Sequence, residues 1–457
     1  MFLTTIWAAL QQIYGSLAIW RLFPRHSAQT QKIEANTTQA ITALRNEDWT
    51  ALRPLFLLPL RLLLTEILLR KAWESVLTIY GPLEDIGPAT FSNYWLLHTA
   101  TAPLRFKQGS VSLSLQWAVT GHLIGLRVIP LASNRWKPPS YATSEDITET
   151  KLSLGRGIYK VGATLTLPTN PQPKTPCVIL IAGSGPTDRD STIRSLKPFK
   201  DLAYGLSSSG IAVCRFDKVT YTHGLWLKLL RRNRSMTLTD EYVYHVLDAV
   251  RQVRKHPGIS EVFLLGHSLG AWPAAKITAL DSAVAGCVLM ACPAEQIYRC
   301  AVRQMRYLMA VNGGLARASN TMGEELVKLE RQAEVADGLS PGSSVAAGEL
   351  PFGIGPAYWL EGREFNPLGY SEHLSRKPLL VLQGGRDYQA TMKDDYARYY
   401  ETFRGCVSVE FRVYESLNHL FVAGEGLSVP AEYDKSGNVD AKVVDDIVLW
   451  VRRQVAG

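Results

Sequence analysis

No two of the six cysteines in this 457-residue chain are separated by two residues. That leaves no C-x2-C knuckle for a metal and no dithiol redox motif. Cys177, Cys287 and Cys292 fall instead in apolar runs, CVILIAG and GCVLMAC, the signature of buried, reduced thiols. Dense runs of one charge are equally scarce. The net charge is +8, but only residues 228–234 (KLLRRNR, beside Trp226) are densely basic. Without zinc-finger spacing, an RNA-binding signature or a basic stripe, nucleic acid is not an expected partner. What is present is core-forming material: 46% hydrophobic against 20% charged residues, a globular composition with no sign of global disorder. The length suggests two domains, or one large domain with an appended module.

The first 20 residues carry no charge, and Arg21 and Arg25 follow. The segment is long enough for a membrane anchor. It has no basic n-region and no evident small-residue cleavage site, so a cleaved leader is not expected. Ile6, Leu10, Ile13 and Leu17 recur at helical spacing, which predicts an amphipathic helix within residues 1–30. Its stripe favours packing on protein, either this chain or a partner as in dimerisation. Membrane-surface contact is the alternative. The expected location is cytoplasmic, with membrane association as the variant of that second reading.

Residues 31–130 read as a small α+β module. A leucine-rich helical stretch, in which Pro59 should start or kink a helix, is followed by strand-like runs separated by KQGS and by Thr120-Gly121, an antiparallel meander. Residues 131–150 are polar, contain Pro138-Pro139 and read as a linker. From 151 to 457 the pattern changes. Apolar runs at 178–182, 211–216, 262–265, 287–291, 379–383 and 407–414 alternate with helical segments such as 242–255 and 394–403. Near-continuous apolar strands between helices imply a parallel sheet covered on both faces, an α/β fold. Residues 295–365 interrupt the alternation, helical and then Gly/Ser-rich, where a lid over the carboxyl ends of the strands belongs.

Gly266-His267-Ser268-Leu269-Gly270 fits G-x-S-x-G. The pattern alone is weak, but here it follows the apolar VFLL and opens the helical AWPAAKITAL, the strand–turn–helix context a nucleophile elbow needs. A serine needs a base, and the base an orienting acid. In this architecture both follow the serine, each after a later strand. Asp387 comes after LLVLQ and His419 after VEFRVYES; every other histidine precedes those positions. Asp394 and Asp395 are fallback acids. The oxyanion requires two backbone N–H groups. Leu269, next to the nucleophile, is one; Ser184, in the Gly-rich turn after VILIA, is the other, with Gly185 as the alternative. Asp188, Arg189, Asp190, Asp217 and Lys218 read as an ion-pair network fixing loop geometry. Trp272, Tyr388, Gln389, Tyr358 and Trp359 are candidates for the substrate pocket. Trp226 and its basic neighbours read as a solvated loop, with membrane-surface contact as the other reading.

Together GSGPTDRD (183–190), KPFKDLA (197–203), FDKVTY (216–221), GHSLG (266–270), GGRDYQ (384–389) and LNHLF (417–421) resemble the bacterial-type carboxylesterases grouped with the serine aminopeptidase-like α/β-hydrolases, over residues 155–455. The stretches at 72–87 and 121–128 are similar to the N-terminal module these proteins often carry. The resemblance implies an α/β-hydrolase fold, esterase activity on acyl esters, Ser268, Asp387 and His419 as the triad, and neither metal nor organic cofactor. Two departures bear on the substrate. Val219 stands where the family usually has a basic residue, and Ala271-Trp272 stand where it usually has glycines.

The resulting expectation is a serine hydrolase that cleaves a small-molecule carboxylic ester through an acyl-enzyme. A thioesterase, acyltransferase or lactone-forming enzyme on a polyketide-like intermediate would use the same triad, because pocket and lid choose the acceptor. A protein that binds a ligand, or closes a ring without an acyl-enzyme, is the reading from another class.

Overall fold

The computed structural model describes residues 26–456, apart from 95–96, 108, 119, 131–135, 172–173, 225–226, 228–234 and 312–319. The expectations for the first 20 residues, for Trp226 and for the basic run 228–234 lie outside the described residues. Among the described residues no helix is long and apolar enough to cross a membrane. The chain divides into two compact units, residues 1–135 and 136–457.

In the first unit, helix α1 (His26–Arg45) and two short helices, Trp49–Leu52 and Leu58–Leu63, precede α2 (Glu66–Tyr80). Pro59 lies in the first turn of its helix, where its missing N–H costs nothing. Thr65 caps α2 by accepting from Leu68 N, and Gly81, at a φ of 76°, ends it. Five antiparallel strands follow: β1 (Leu83–Ile86), β2 (Thr90–Tyr94), β3 (Leu97–Phe106), β4 (Gly109–Ala118) and β5 (Leu123–Pro130). Their order is β1-β3-β4-β5, with β2 also on β3. Trp73 of α2 sits with its ring 6.0 Å from Phe106 and 6.5 Å from Trp49, and these rings and Trp117 centre the core of this unit.

The second unit is built on eight strands: β6 (Ile147–Leu154), β7 (Val161–Pro168), β8 (Thr175–Ile181), β9 (Ala212–Phe216), β10 (Ile259–His267), β11 (Gly286–Met290), β12 (Leu379–Gly384) and β13 (Val409–Tyr414). Across the sheet they run β13-β12-β11-β10-β8-β9-β7-β6. All neighbours are parallel except the β9–β7 and β7–β6 pairs. This is the α/β-hydrolase sheet. The continuous apolar runs divide residue by residue between two faces. Cys177, Ile179 and Ile181 pack on one face while Val178 and Leu180 pack on the other; Leu264 and then Phe263 with Leu265 do the same on β10. Burying each such side chain is worth about 1.5–3 kcal/mol. Helices α3 (Pro198–Ser208), α4 (Tyr244–Val253), α5 (Ala271–Leu280), α9 (Ala397–Phe403) and α10 (Ala441–Ala456) cover the faces. Between β11 and β12 an insertion carries α6 (Ile297–Val311), α7 (Asn320–Asp337) and α8 (Pro356–Phe365).

The stretch 131–150 is not a free linker in its described part. Trp136 Nε1 donates to Asp201 Oδ1 at 2.7 Å, Tyr141 OH donates to Val439 O at 2.7 Å, and β6 begins at Ile147. Two aromatic side chains, each apolar with one polar tip, dock onto the sheet's flank in spite of the polar composition around them. β7 was likewise not anticipated as a strand.

Candidate active site

The chain runs from β8 to β9 on one side and returns to β10 on the other, so the strand order reverses between β8 and β10. Ligands of open α/β sheets bind outside the carboxyl ends of the strands at such a reversal. The loop 182–186 leaves β8 there and Ser268 follows β10.

Ser268 holds a φ of 54°, a left-handed conformation for a residue with a Cβ. The two glycines around it are steric requirements. A Cβ on Gly266 would overlap the Gly270 carbonyl and the Ala271 backbone, and one on Gly270 would overlap the Ile181 carbonyl. Gly183 is as confined: its Cβ would lie 2.9 Å from the Cβ of Ser268. Ser268 opens a 3-10 turn through Gly270 that continues into α5.

His419 Nδ1 and Asp387 Oδ2 are 2.7 Å apart, and both side chains are buried. Asp387 Oδ1 accepts from the N–H groups of Gln389, at 2.7 Å, and Ala390, at 3.1 Å. The carboxylate is thereby fixed with one oxygen on its own loop and one on the imidazole; a carboxylate at Nδ1 favours the tautomer that carries the proton there and leaves the Nε2 lone pair free. No hydrogen bond joins Ser268 Oγ to His419 among the described residues. Neither fallback acid reaches His419. Asp395 is buried, accepts from Ala294 N and pairs with Arg303, and Asp394 closes a turn with Thr391.

Several residues that the sequence did not single out hold this arrangement. His267 Nε2–H donates to the carbonyl of His419 at 2.8 Å, with the two rings 4.6 Å apart. Burial, and then His419 beside it, push the His267 pKa down to about 3, so it is neutral and a fixed donor. As the variable position of G-x-S-x-G it carries no local signal of a partner 152 positions away. Asn418 Oδ1 accepts from Leu420 N and Val422 N, and its Nδ2 donates to Glu432, which pairs with Arg386 beside the acid. The loops that carry Asp387 and His419 are thus tied to one another.

The loop after β8 is pinned by the charged residues anticipated for it. Arg189 grips Asp217 through Nε, at 3.1 Å, and Nη2, at 2.7 Å; Arg215 and Lys197 hold Asp190; Asp188 accepts from Thr192. Lys218 is buried and pairs with Glu241 at 2.8 Å, and burial lowers its pKa. Ser184 is exposed at the loop tip, and its N–H has no hydrogen-bond partner among the described residues. Gly185 adopts a φ of 81°.

Of the pocket candidates, Trp272 is buried beneath the elbow, its Nε1–H donating to Pro293 O at 2.7 Å. Tyr358 and Trp359 are buried in α8; Tyr358 OH donates to Glu241 Oε2 at 2.6 Å and the Trp359 ring lies 5.2 Å from that of Tyr298. Tyr388 stacks on Tyr307 of α6 at 5.1 Å, and Gln389 Nε2 donates to Tyr433 OH at 2.9 Å. A cavity of about 680 Å³ lies between Tyr159, Val219, Met236, Tyr244 and His245, and none of Ser268, Asp387 and His419 lines it. Among the described residues no group of three His, Cys, Asp or Glu side chains could hold a metal ion.

A sequence model of the family described as serine aminopeptidase, S33, matches residues 193–425. Esterase EstD of Thermotoga maritima is 32% identical over 348 residues, 76% of this chain and 78% of that protein. Among solved structures, Est1E of Butyrivibrio proteoclasticus is similar with a TM-score of 0.42 at 14% identity, over 67% of this chain and 99% of that one. An esterase of Pyrococcus furiosus is similar with a TM-score of 0.41 at 15% identity, over 70% of this chain and 98% of that one.

Proposed function

This chain belongs to the serine aminopeptidase-like (S33) esterases of the α/β-hydrolase fold, and on that premise we propose that it cleaves small-molecule carboxylic esters with Ser268 as nucleophile, His419 as base and Asp387 as orienting acid. The observation that carries the assignment is the buried 2.7 Å contact between His419 Nδ1 and Asp387 Oδ2, in the loops that follow the two strands beyond the serine.

The proposed steps use only these residues and backbone amides. His419 Nε2 takes the proton of Ser268 Oγ as the oxygen attacks the acyl carbonyl. The Leu269 and Ser184 N–H groups receive the developing oxyanion. Removing such a donor typically costs about 10²–10³ in rate. The tetrahedral intermediate collapses, His419 protonates the departing alkoxide, and the acyl group stays on Oγ. Water, deprotonated by His419, then releases the acid. The insertion carrying α6 to α8 serves as the lid, and Tyr388, Gln389, Trp272, Tyr358 and Trp359 are the proposed determinants of acyl-group fit.

Labelling with a fluorophosphonate probe, read by peptide mass spectrometry, tests the assignment. One adduct on the peptide containing Ser268, absent from Ser268→Ala, is the expected result. A folded wild-type protein that takes no label would sink the acyl-enzyme and favour ring closure or simple binding. Product analysis with thiol, alcohol or water as acceptor separates hydrolysis from acyl transfer.

A further inference from the structure

The proposed nucleophile, base and acid leave one buried cluster unused. Lys218, Tyr242, Glu241 and Tyr358 are all within 5% exposure or less, and they converge on a single backbone carbonyl. Gly183 O accepts from Lys218 Nζ at 2.8 Å and from Tyr242 OH at 2.8 Å, so both of its lone pairs are occupied. Lys218 spends its other two protons on Tyr242 OH, at 2.6 Å, and Glu241 Oε1, at 2.8 Å. Glu241 Oε1 also accepts from Thr220 and Oε2 from Tyr358 OH. Every donor and acceptor in the cluster is satisfied.

The carbonyl that this cluster grips shares a peptide plane with the Ser184 N–H. There are no cis peptide bonds, and in a trans peptide the C=O and N–H point in opposite directions. Drawing Gly183 O into the protein therefore turns the Ser184 N–H outward, on the loop whose Gly183 lies against Ser268. Gly183 on its own does not enforce this, since glycine permits several orientations of that plane. Burying a lysine among hydrogen-bonded partners brings little net stability, so its worth here lies in orientation.

The segment that supplies the grip is a π turn, Thr239–Val243. Consecutive side chains on an α-helix diverge by about 100°; the wider turn lets Glu241 and Tyr242 reach the same ammonium. Helix α8 of the insertion holds this segment at two points. Glu361 accepts from Thr239 N at 2.9 Å and from its hydroxyl, and Tyr358 donates to Glu241.

We propose that Lys218 and Tyr242 are positioning residues that aim the Ser184 N–H at the oxyanion, and that Tyr358 and Glu241 link the seating of α8 to that aim. The inference rests on the Ser268 acyl-enzyme reading. It assigns the insertion a part in the chemical step beyond covering the pocket.

The test compares wild type with Tyr242→Phe, Tyr358→Phe, Lys218→Met and Ser268→Ala, using p-nitrophenyl acetate, an aryl trifluoromethyl ketone and the matching methyl ketone. The trifluoromethyl ketone forms an oxyanion on the serine and the methyl ketone binds largely without one. Tyr242→Phe is expected to lower kcat about tenfold with KM within about twofold, since the lost contact acts in the transition state. Its affinity for the trifluoromethyl ketone should fall by a similar factor and that for the methyl ketone should not change. Tyr358→Phe should show the same pattern at about threefold. Lys218→Met should fall furthest; if it does not fold, the two tyrosine variants, each lacking a single oxygen, decide. Unchanged kcat and ketone affinities in both, or equal losses for the two ketones, would overturn the positioning role while Ser268→Ala remained inactive. A Ser268→Ala protein with wild-type turnover would instead remove the nucleophile itself, and this inference with it.

Discussion

The Cβ of Ser268 crowds the backbone at a φ of 54°, a conformation that costs of order 1–3 kcal/mol. The strain disappears without a Cβ. Ser268→Gly is therefore expected to raise stability by about 1 kcal/mol, after the entropy of an added glycine is set against the relief, while turnover is lost. Urea unfolding of this variant beside Ser268→Ala, which keeps the Cβ, would measure the difference; equal midpoints would mean that the elbow stores no strain. His267 carries a second prediction. Its pKa in the folded protein is about 3, below the ordinary value of about 6.5. Between those values the unfolded chain binds the extra proton, so stability rises with pH across that window and falls as the solution is acidified. Asp201 works in the opposite direction, because burial raises its pKa to about 6 and the folded state then holds the proton. The difference between wild type and His267→Phe isolates the histidine: the variant should lose less stability than wild type from pH 7 to pH 4, and should lose kcat because the carbonyl of His419 has lost its donor. At this scale the sequence was informative about position relative to a strand: Ser268, Asp387 and His419 each follow the strand expected, and the last two are in contact. It was silent on His267 and on the Lys218–Tyr242 grip, which exist only through contacts between residues far apart in the chain.

Elements followed the same logic. Strands β8, β9, β11 and β12 were readable because they are buried along their whole length, and β10 from Val262 on, which leaves near-continuous apolar runs; β13, half-buried at the margin, was readable from the alternation in VEFRVY. β6 was not, because ITETKLSL buries only Ile147 and Leu154; at the sheet's edge the exposed Glu149 and Lys151 read as loop, and charge there guards the open edge against pairing with another chain. The β10–α5 junction is the least tolerant element. Gly270→Ala would drive a methyl group into the carbonyls of Ile181 and Ala182, and backbone cannot yield as a side-chain tip does. A loss of about 3 kcal/mol or more is expected, seen as a collapse of soluble yield or a large fall in the urea midpoint. An alanine variant of wild-type stability would show that β8 and the elbow are less closely apposed than described.

For the molecule as a whole, the order of its parts was legible and the work of the first unit was not. Helices followed by a meander announce themselves by a change of period, but a module with its own buried aromatic centre gives no chemical sign of what it does. The second unit contains all the residues assigned to the reaction and has its own core on both faces of the sheet. A chain trimmed to residues 136–457 is accordingly expected to stay folded and to hydrolyse p-nitrophenyl acetate within about twofold of the full protein. Loss of turnover with retained folding would assign the first unit a direct part in catalysis.

Among the described residues β13 is an outer strand of the sheet, paired on one side only with β12, and the loop that follows it carries His419. Amide exchange and local fraying begin at such margins, at free energies below that of global unfolding. His419, the proposed base, is therefore mounted on an outermost plank of this sheet, while Ser268 follows a strand near its middle. Turnover is accordingly expected to vanish at lower urea than far-UV ellipticity, with most of the sheet still standing; coincident transitions would show that this margin is as firm as the middle.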